Sequence, residues 1–402
     1  MVLLKIAFRN IFRQKRRSAL TLLTMTAGFF MASLAIAFNV GSYNVIIREL
    51  TRNETGHVKI AHSTYRSTPD MYYTIDNYRD VLGTMEDRED VAFATAELFG
   101  SGLAATDTRS LPVSVRAVDP RRHDEVFSYG GRVTEGEYMR SQKAEVLLGK
   151  HLARRLRVAP GDTLYLFSQT AYGRVAEDIF SVRGIVSPDQ QRISESLLLM
   201  PLDIAQEYYE LWDRVHEISL VGTHENARNL AAEVQKSLSD PYIAEPWQEF
   251  NRSLYEAMQA DQKGGIVGVT VILIIVGFGI LNTVLMAVLE RQREYGVLKA
   301  VGTTPGQVFG LIVAEMMILA ILSILVALPL SWSGSYYFAT EGIPLSDPFT
   351  FGGVVWSHIY ADIIPLSFTL PAVVVGVVTL FVSLFPAMKA ARTNPADTMR
   401  ID

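Results

Sequence analysis

The chain has 402 residues, 49% of them apolar and 20% charged, an apolar share that argues against a wholly water-soluble protein. Its 37 basic and 42 acidic side chains give a formal net charge of −5, too balanced for a general nucleic-acid binder, so any electrostatic information lies in how the charges are distributed. It holds no cysteine, which excludes disulfides, thiolate metal sites and a cysteine nucleophile.

Residues 1–18 place Leu4, Ala7, Phe8, Ile11 and Phe12 at helical spacing on one side and Lys5, Arg9, Arg13 and Arg16 on the other. This predicts a helix in the headgroup plane with basic side chains reaching anionic membrane lipid; a basic flank that only sets topology is the plainer alternative. Four stretches, 19–40, 264–289, 308–330 and 363–388, reach the ~20 apolar residues needed to cross a hydrocarbon core of roughly 30 Å. A cleaved signal peptide competes for the first, given Ala35-Ile36-Ala37, but the apolar run exceeds the roughly 7–15 residues of a signal core. Pro365, Pro371 and Pro386 blur the ends of the fourth span without removing it.

Basic residues near the span ends set orientation. They stand before span one (Lys5, Arg9, Arg13, Lys15, Arg16, Arg17), between spans two and three (Arg291, Arg293, Lys299) and after span four (Lys389, Arg392, Arg400), whereas the loop 331–362 has none. Segments 1–18, 290–307 and 389–402 are therefore expected in the cytoplasm, with 12 basic against 4 acidic side chains, and 41–263 outside, with 25 against 34.

The outer segment is long enough for two small subdomains and reads as α+β. Strands are predicted at 57–60, 113–118, 164–167, 179–185 and 218–221, helices at 144–156 and 227–238, and a turn at Pro160-Gly161-Asp162. Residues 247–263 predict a helix running directly into span two, a route for motion between membrane and outer domain. The fold class is thus a membrane protein of four transmembrane helices with a large α+β domain between the first two.

Enzyme signatures are absent. There is no phosphate loop, no G-x-S-x-G elbow and no H-E-x-x-H helix. His216-Glu217 and His224-Glu225 flank a predicted strand and read as surface charges at strand ends, with no metal expected. Glu315, the one acid in span three, shows no partner in the other spans and reads as structural, near interfacial water. Gly264-x-x-x-Gly268 is a weak helix-packing signal.

Segment 289–307, LERQREYGVLKAVGTTPGQ, leaves the membrane through a charged turn and re-enters at once. A short amphipathic helix is expected to expose Tyr295, Leu298 and Val301. The segment resembles the coupling helix of the MacB and FtsX superfamily of ABC-transporter permeases, whose pattern E-R-x-x-E-x-G-x-L-(R/K)-A-x-G is met by Glu290, Arg291, Glu294, Gly296, Leu298, Lys299, Ala300 and Gly302. The opening 7–17 (AFRNIFRQKRR), the tail 386–397 (PAMKAARTNPAD), and 146–153 (VLLGKHLA) followed by Pro160-Gly161-Asp162 are similar to the same superfamily. Residues 247–258 (WQEFNRSLYEAM) and 55–60 (TGHVKI) resemble its lipoprotein-releasing LolC and LolE branch.

The resemblance implies a permease working as a dimer with an identical or paralogous chain, above two copies of a separate ATPase that binds ATP and Mg, in the bacterial inner membrane. This chain would bind no cofactor. Glu290, Arg291, Glu294, Tyr295, Gly296, Leu298, Lys299 and Gly302 would form the ATPase-coupling site, with Glu290, Glu294 and Leu298 in contact. Lipoprotein acyl chains would enter a cleft of spans one and two, with Phe29, Phe30, Leu34, Phe38, Val271, Ile274, Ile275 and Phe278 as lining by position. The hairpin tip with Tyr172, Gly173 and Arg174 stands where LolC carries its carrier-recruiting hook, but it is shorter and lacks the hook's prolines. MacB-like export of periplasmic peptides or drugs, and FtsX-like control of a periplasmic hydrolase, are the alternatives.

Overall fold

The computed structural model describes residues 2–13, 15–51, 55–188, 191–223, 226–351 and 354–392. The chain divides into two compact units: a membrane unit of 1–45, 258–346 and 358–402, and an outer unit of 46–257 and 347–357.

The membrane unit contains α1 (Val2–Arg13), α2 (Lys15–Leu50), α3 (Arg252–Glu290), α4 (Gln292–Ala300), α5 (Pro305–Thr340) and α6 (Pro365–Arg392). Among the described residues, four helices, α2, α3, α5 and α6, are long and apolar enough to cross a membrane. The helix containing span three continues past residue 330 to Thr340, because Trp332, Tyr336 and Tyr337 extend it with the amphipathic aromatics that suit a membrane interface. Met25, Phe29, Ile280, Val284, Val288, Ile312, Met316 and Val375 form its core. Close packing of α2 on α3 occurs where a glycine meets a side chain, Gly28 against Val276 and Gly279 against Thr24. At the other end of the bundle Tyr43 hydrogen-bonds to Asp261, and Asn44 donates to Asp362 at 2.8 Å. Gly264 and Gly268 lie on an open face with nothing against them.

The expected in-plane helix is present as α1, but its apolar side chains divide. Ala7 and Ile11 are buried, α1 packing on α5, while Phe8 and Phe12 stay exposed. The side chains of Leu4 and Lys5 are outside the described residues.

The outer unit is built on one ten-stranded sheet. In chain order its strands, with the two of a small ribbon, are β1 (Val58–His62), β2 (Ile75–Asp76), β3 (Val91–Ala105), β4 (Ser110–Val118), β5 (Val133–Gly136), β6 (Glu145–Gly149), β7 (Thr163–Gln169), β8 (Val175–Val186), β9 (Leu197–Pro201), β10 (Arg214–Val215), β11 (Glu217–Gly222) and β12 (Tyr242–Pro246). The sheet order is β12-β1-β11-β3-β4-β9-β6-β8-β5, with β7 pairing β3 and β8; β2 and β10 form the ribbon. Two subdomains were expected from length, but one sheet runs through the unit, because the fifteen-residue β3 is long enough to pair with β11, β4 and β7. One face carries the main core, including Ile60, Leu98, Val115, Leu148, Phe180 and Ile218. A smaller cluster contains Val118, Phe127, Tyr129, Leu147 and Leu199.

The helix expected over 144–156 is half strand: Glu145–Gly149 is β6 and only Lys150–Leu156 is helical. Every β6 residue is buried, and an apolar run buried on both faces has no period to separate strand from helix. The helix expected from Trp247 breaks at Asn251 (φ −112°, ψ 43°) before α3 begins.

Candidate functional site

The elbow between α3 and α5 follows from its residues. Arg291, at φ −102° and ψ 11°, ends α3, and Gln292–Ala300 forms α4. Gly302, at φ +107°, supplies the left-handed residue that stops α4. Thr304 then starts α5 through a reciprocal capping box, its hydroxyl accepting from Gln307 N–H at 3.3 Å and its own N–H donating to Gln307 Oε1 at 2.9 Å, with Pro305 as the first helical residue.

Two faces result. Glu290, Arg293, Glu294, Val297, Leu298 and Val301 are exposed. Arg291, Tyr295 and Gly296 are buried, which corrects the expectation that Tyr295 is displayed and removes Arg291 from any outer contact surface. Tyr295 packs with Ile11, Met25, Val288, Val308 and Ile312, and the Arg291 guanidinium lies 5.2 Å from its ring centroid.

Arg291 is buried because it is paired. Its Nη1 donates to both Glu315 oxygens, at 3.0 and 2.9 Å, and its Nε donates to Glu294 at 2.9 Å. The partner that Glu315 lacked among the spans therefore comes from the elbow; the available signal was an acid at membrane depth and a basic residue at the second position after span two. At the other end of α4, Lys299 donates to the carbonyl oxygens of Ala390, at 3.3 Å, and Ala391. These lie in the last turn of α6, where helical carbonyls are left over and a cation is favoured.

The proposed acyl-lining residues separate. Phe29 is wholly buried in the bundle core, so it lines no lipid-facing cleft. Phe30 and Leu34 lie beside Gly334 of α5, and the Phe38 ring centroid is 5.2 Å from that of Phe338, also on α5; all three thus turn toward span three. Val271, Ile274, Ile275 and Phe278 share one exposed stripe of α3.

The hairpin tip is a short tied turn. Thr170 N–H donates to Arg174 O at 2.7 Å, Gly173 takes φ +78°, and the Ala171 N–H donates to Tyr209 O at 3.1 Å. Tyr208 hydroxyl bridges to Leu166 O at 2.8 Å and Ala176 O at 3.1 Å, one on each strand of the hairpin. Tyr172 and Arg174 remain exposed, with Arg174 paired to Glu210.

The histidine–acid pairs need correction. His216 and Glu217 are buried at the start of β11, not displayed at a strand end; His224 and Glu225 lie outside the described residues, and no metal cluster occurs among the described ones. Glu217 accepts from Lys59 at 2.5 Å and Arg66 at 2.8 Å. Burial pushes its carboxyl up, but the Lys59 and Arg66 charges outweigh burial and hold it below its ordinary value. His216 Nδ1 accepts from Phe99 N–H at 3.0 Å, and the ring stacks on Tyr65 at 5.0 Å. Burial lowers its pKa to about 4, so it stays neutral. His57 Nδ1 accepts from Gly222 N–H at 3.1 Å, and Gly56, at φ +76°, lies where a Cβ would sit 2.9 Å from Leu220 O. The Gly-His pair is therefore a backbone staple between β1 and β11.

A bundle of four membrane-length helices, a charged helical elbow and a large α+β unit between the first two spans describe a multi-pass membrane protein of the transporter kind. The MacB-like periplasmic core domain family matches residues 18–237, and the FtsX-like permease C-terminal family matches residues 266–395. The chain belongs to the MacB/FtsX family of ABC-transporter permeases, near its Lol branch. It is 24% identical over 314 residues to the lipoprotein-releasing system transmembrane protein LolC of Xylella fastidiosa, covering 73% of this chain and 74% of that one. To LolE of Haemophilus influenzae it is 21% identical, covering 92% of each chain. To an uncharacterised ABC transporter permease of Methanocaldococcus jannaschii it is 22% identical, covering 98% and 96%.

Proposed function

We propose that this chain is the permease subunit of a lipoprotein-releasing ABC transporter in the bacterial inner membrane, with residues 41–263 in the periplasm. The likeness to LolC and LolE, which reaches 92% of the chain in the LolE comparison, carries the reading. A second permease, identical or paralogous, would complete the dimer, and two copies of a separate ATPase would supply ATP and Mg chemistry. Glu290, Glu294 and Leu298, exposed on the elbow, are the contacts for that ATPase. Arg291, Tyr295, Gly296, Lys299 and Gly302 shape and hold the elbow behind them.

The stripe Val271, Ile274, Ile275 and Phe278 receives the lipoprotein's acyl chains. Each methylene buried in lipid is worth about 0.8 kcal/mol, so extraction needs both an energy source and an alternative apolar surface. A soluble periplasmic carrier would take the cargo, and Tyr172 and Arg174 are the exposed side chains at the tip available to meet it.

The test is reconstitution of this chain with its ATPase, a paralogous permease where one exists, and an acylated lipoprotein in liposomes, followed by addition of the carrier. Lipoprotein found with the carrier only when ATP is present supports release. ATP hydrolysis with the lipoprotein left in the bilayer rejects it. The match of residues 18–237 to the MacB-like core favours a second reading, export of periplasmic peptides or drugs; copurification of an adaptor on the outer domain, with no lipoprotein release, would select it.

A further inference from the structure

The elbow has two places where helical backbone is interrupted, at Arg291 and at Val301–Gly302. A side chain near each reaches past the break. Arg291 connects exposed Glu294 to Glu315, about three turns into α5, the helix on which α1 packs. Lys299 connects the last turn of α4 to the last turn of α6. The elbow also joins an apolar cluster of the bundle that includes Tyr295, Val288, Val308 and Ile312. Apolar contacts are non-directional, whereas a planar guanidinium gripping two carboxylates fixes distance and orientation together.

We propose that Arg291 and Glu315 are positioning residues that lock the elbow to α5, while Lys299 locks it to α6, so that a push received at Glu294 displaces α3, α5 and α6 as one body. This rests on the reading of the elbow as the ATPase contact. Motion then enters the bundle through spans two, three and four together, not along spans one and two alone. A lysine at 291 keeps the charge but loses the fork, so it cannot hold Glu294 and Glu315 in one fixed geometry.

The chain has no native cysteine, so Val301→Cys and Leu325→Cys, at two exposed positions, take unique spin labels in the full-length protein. Without ATPase, the distance distribution between them is expected to be narrow in the labelled parent. It should broaden in Arg291→Lys and in Glu315→Gln, and narrow again in the charge swap Arg291→Glu with Glu315→Arg. With ATPase present, lipoprotein released per ATP hydrolysed should fall about ten-fold in Arg291→Lys. Equal widths in parent and Arg291→Lys, no recovery in the swap, or full coupling in Arg291→Lys overturns the proposal. Failure of the unaltered chain to bind any ATPase, with the distances still responding to the substitutions, overturns the elbow's assignment instead and leaves the lock standing.

Discussion

The membrane unit and the outer domain both bury ionic groups, by different geometries. In the membrane unit, Arg291 and Glu315 meet from positions on either side of the elbow, with Glu294 as a further partner of Arg291. In the outer domain the charges form a row across adjacent strands. Glu245 on β12 pairs in register with Lys59 on β1, Glu217 on β11 faces Glu97 on β3, and Arg116 on β4 grips Glu97 at 2.5 Å. Two carboxylates directly opposite would repel, and Lys59, Arg66 and Arg116 surround them. The sheet row is placed by register, which many backbone bonds fix at once. The membrane pair is placed by one elbow, so a small change there moves it.

The largest test of this contrast is Glu217→Ala, which removes the buried carboxylate shared by Lys59 and Arg66 and leaves Arg66 only its pairing with Glu245. It should cost about 3–5 kcal/mol in denaturant unfolding of the outer domain within the full chain; a loss under about 1 kcal/mol would mean that the row is solvated like a surface pair.

Acid should weaken the same region next. His216 is held neutral with its pKa at about 4, while the unfolded chain takes up a proton near pH 6.5. Below pH 6.5 the unfolded state binds the extra proton, so stability falls as pH drops toward 4, by up to about 3 kcal/mol. Glu217, whose pKa is lowered, loses its contribution as pH falls from the unfolded glutamate's value, about 4.3, through that lowered one. Melting temperatures of the parent and of His216→Phe between pH 7 and 4 would check this: the parent's slope should flatten in the variant.

In the membrane unit, Glu294→Lys should leave insertion intact and weaken ATPase copurification by at least about ten-fold, roughly 1.4 kcal/mol; unchanged copurification with unchanged activity would clear Glu294 of any contact role. The smallest effect is expected from Thr304→Ala, which removes the capping box at the start of α5 and should cost about 1 kcal/mol, read as faster amide exchange over residues 306–308.

These two regions were unequally legible in the sequence. Hydropathy located the four long helices because twenty apolar residues in a row have few other uses, and the charged segment from Glu290 to Gly302 between two of them marked the elbow. Tyr295 misled because a nine-residue helix was judged against water, when its neighbours are other helices and α1. The Arg291–Glu315 bond joins residues from two elements, and no local pattern encodes a tertiary distance. In the outer domain, β3 escaped notice because Gly100 and Gly102 interrupt its alternation, and β6 because burial on both faces erased its period. The hairpin tip at Tyr172 to Arg174 is legible as a turn, yet its anchoring to Tyr209 runs through backbone atoms, which every residue possesses and none advertises.

Gly41 sits where α2 meets the segment leading into α6. A Cβ there would fall 2.4 Å from both the Ala361 carbonyl carbon and the Asp362 nitrogen, while the Asp362 N–H donates to Ala37 O at 3.0 Å. Peptide rests directly on peptide, with no side chain between to act as a cushion. Such a contact behaves as a fulcrum with no clearance: it permits rotation about the touching point and refuses even one added methyl group. A library randomised at position 41 should therefore return glycine almost alone, a selection imposed by space and not by chemistry.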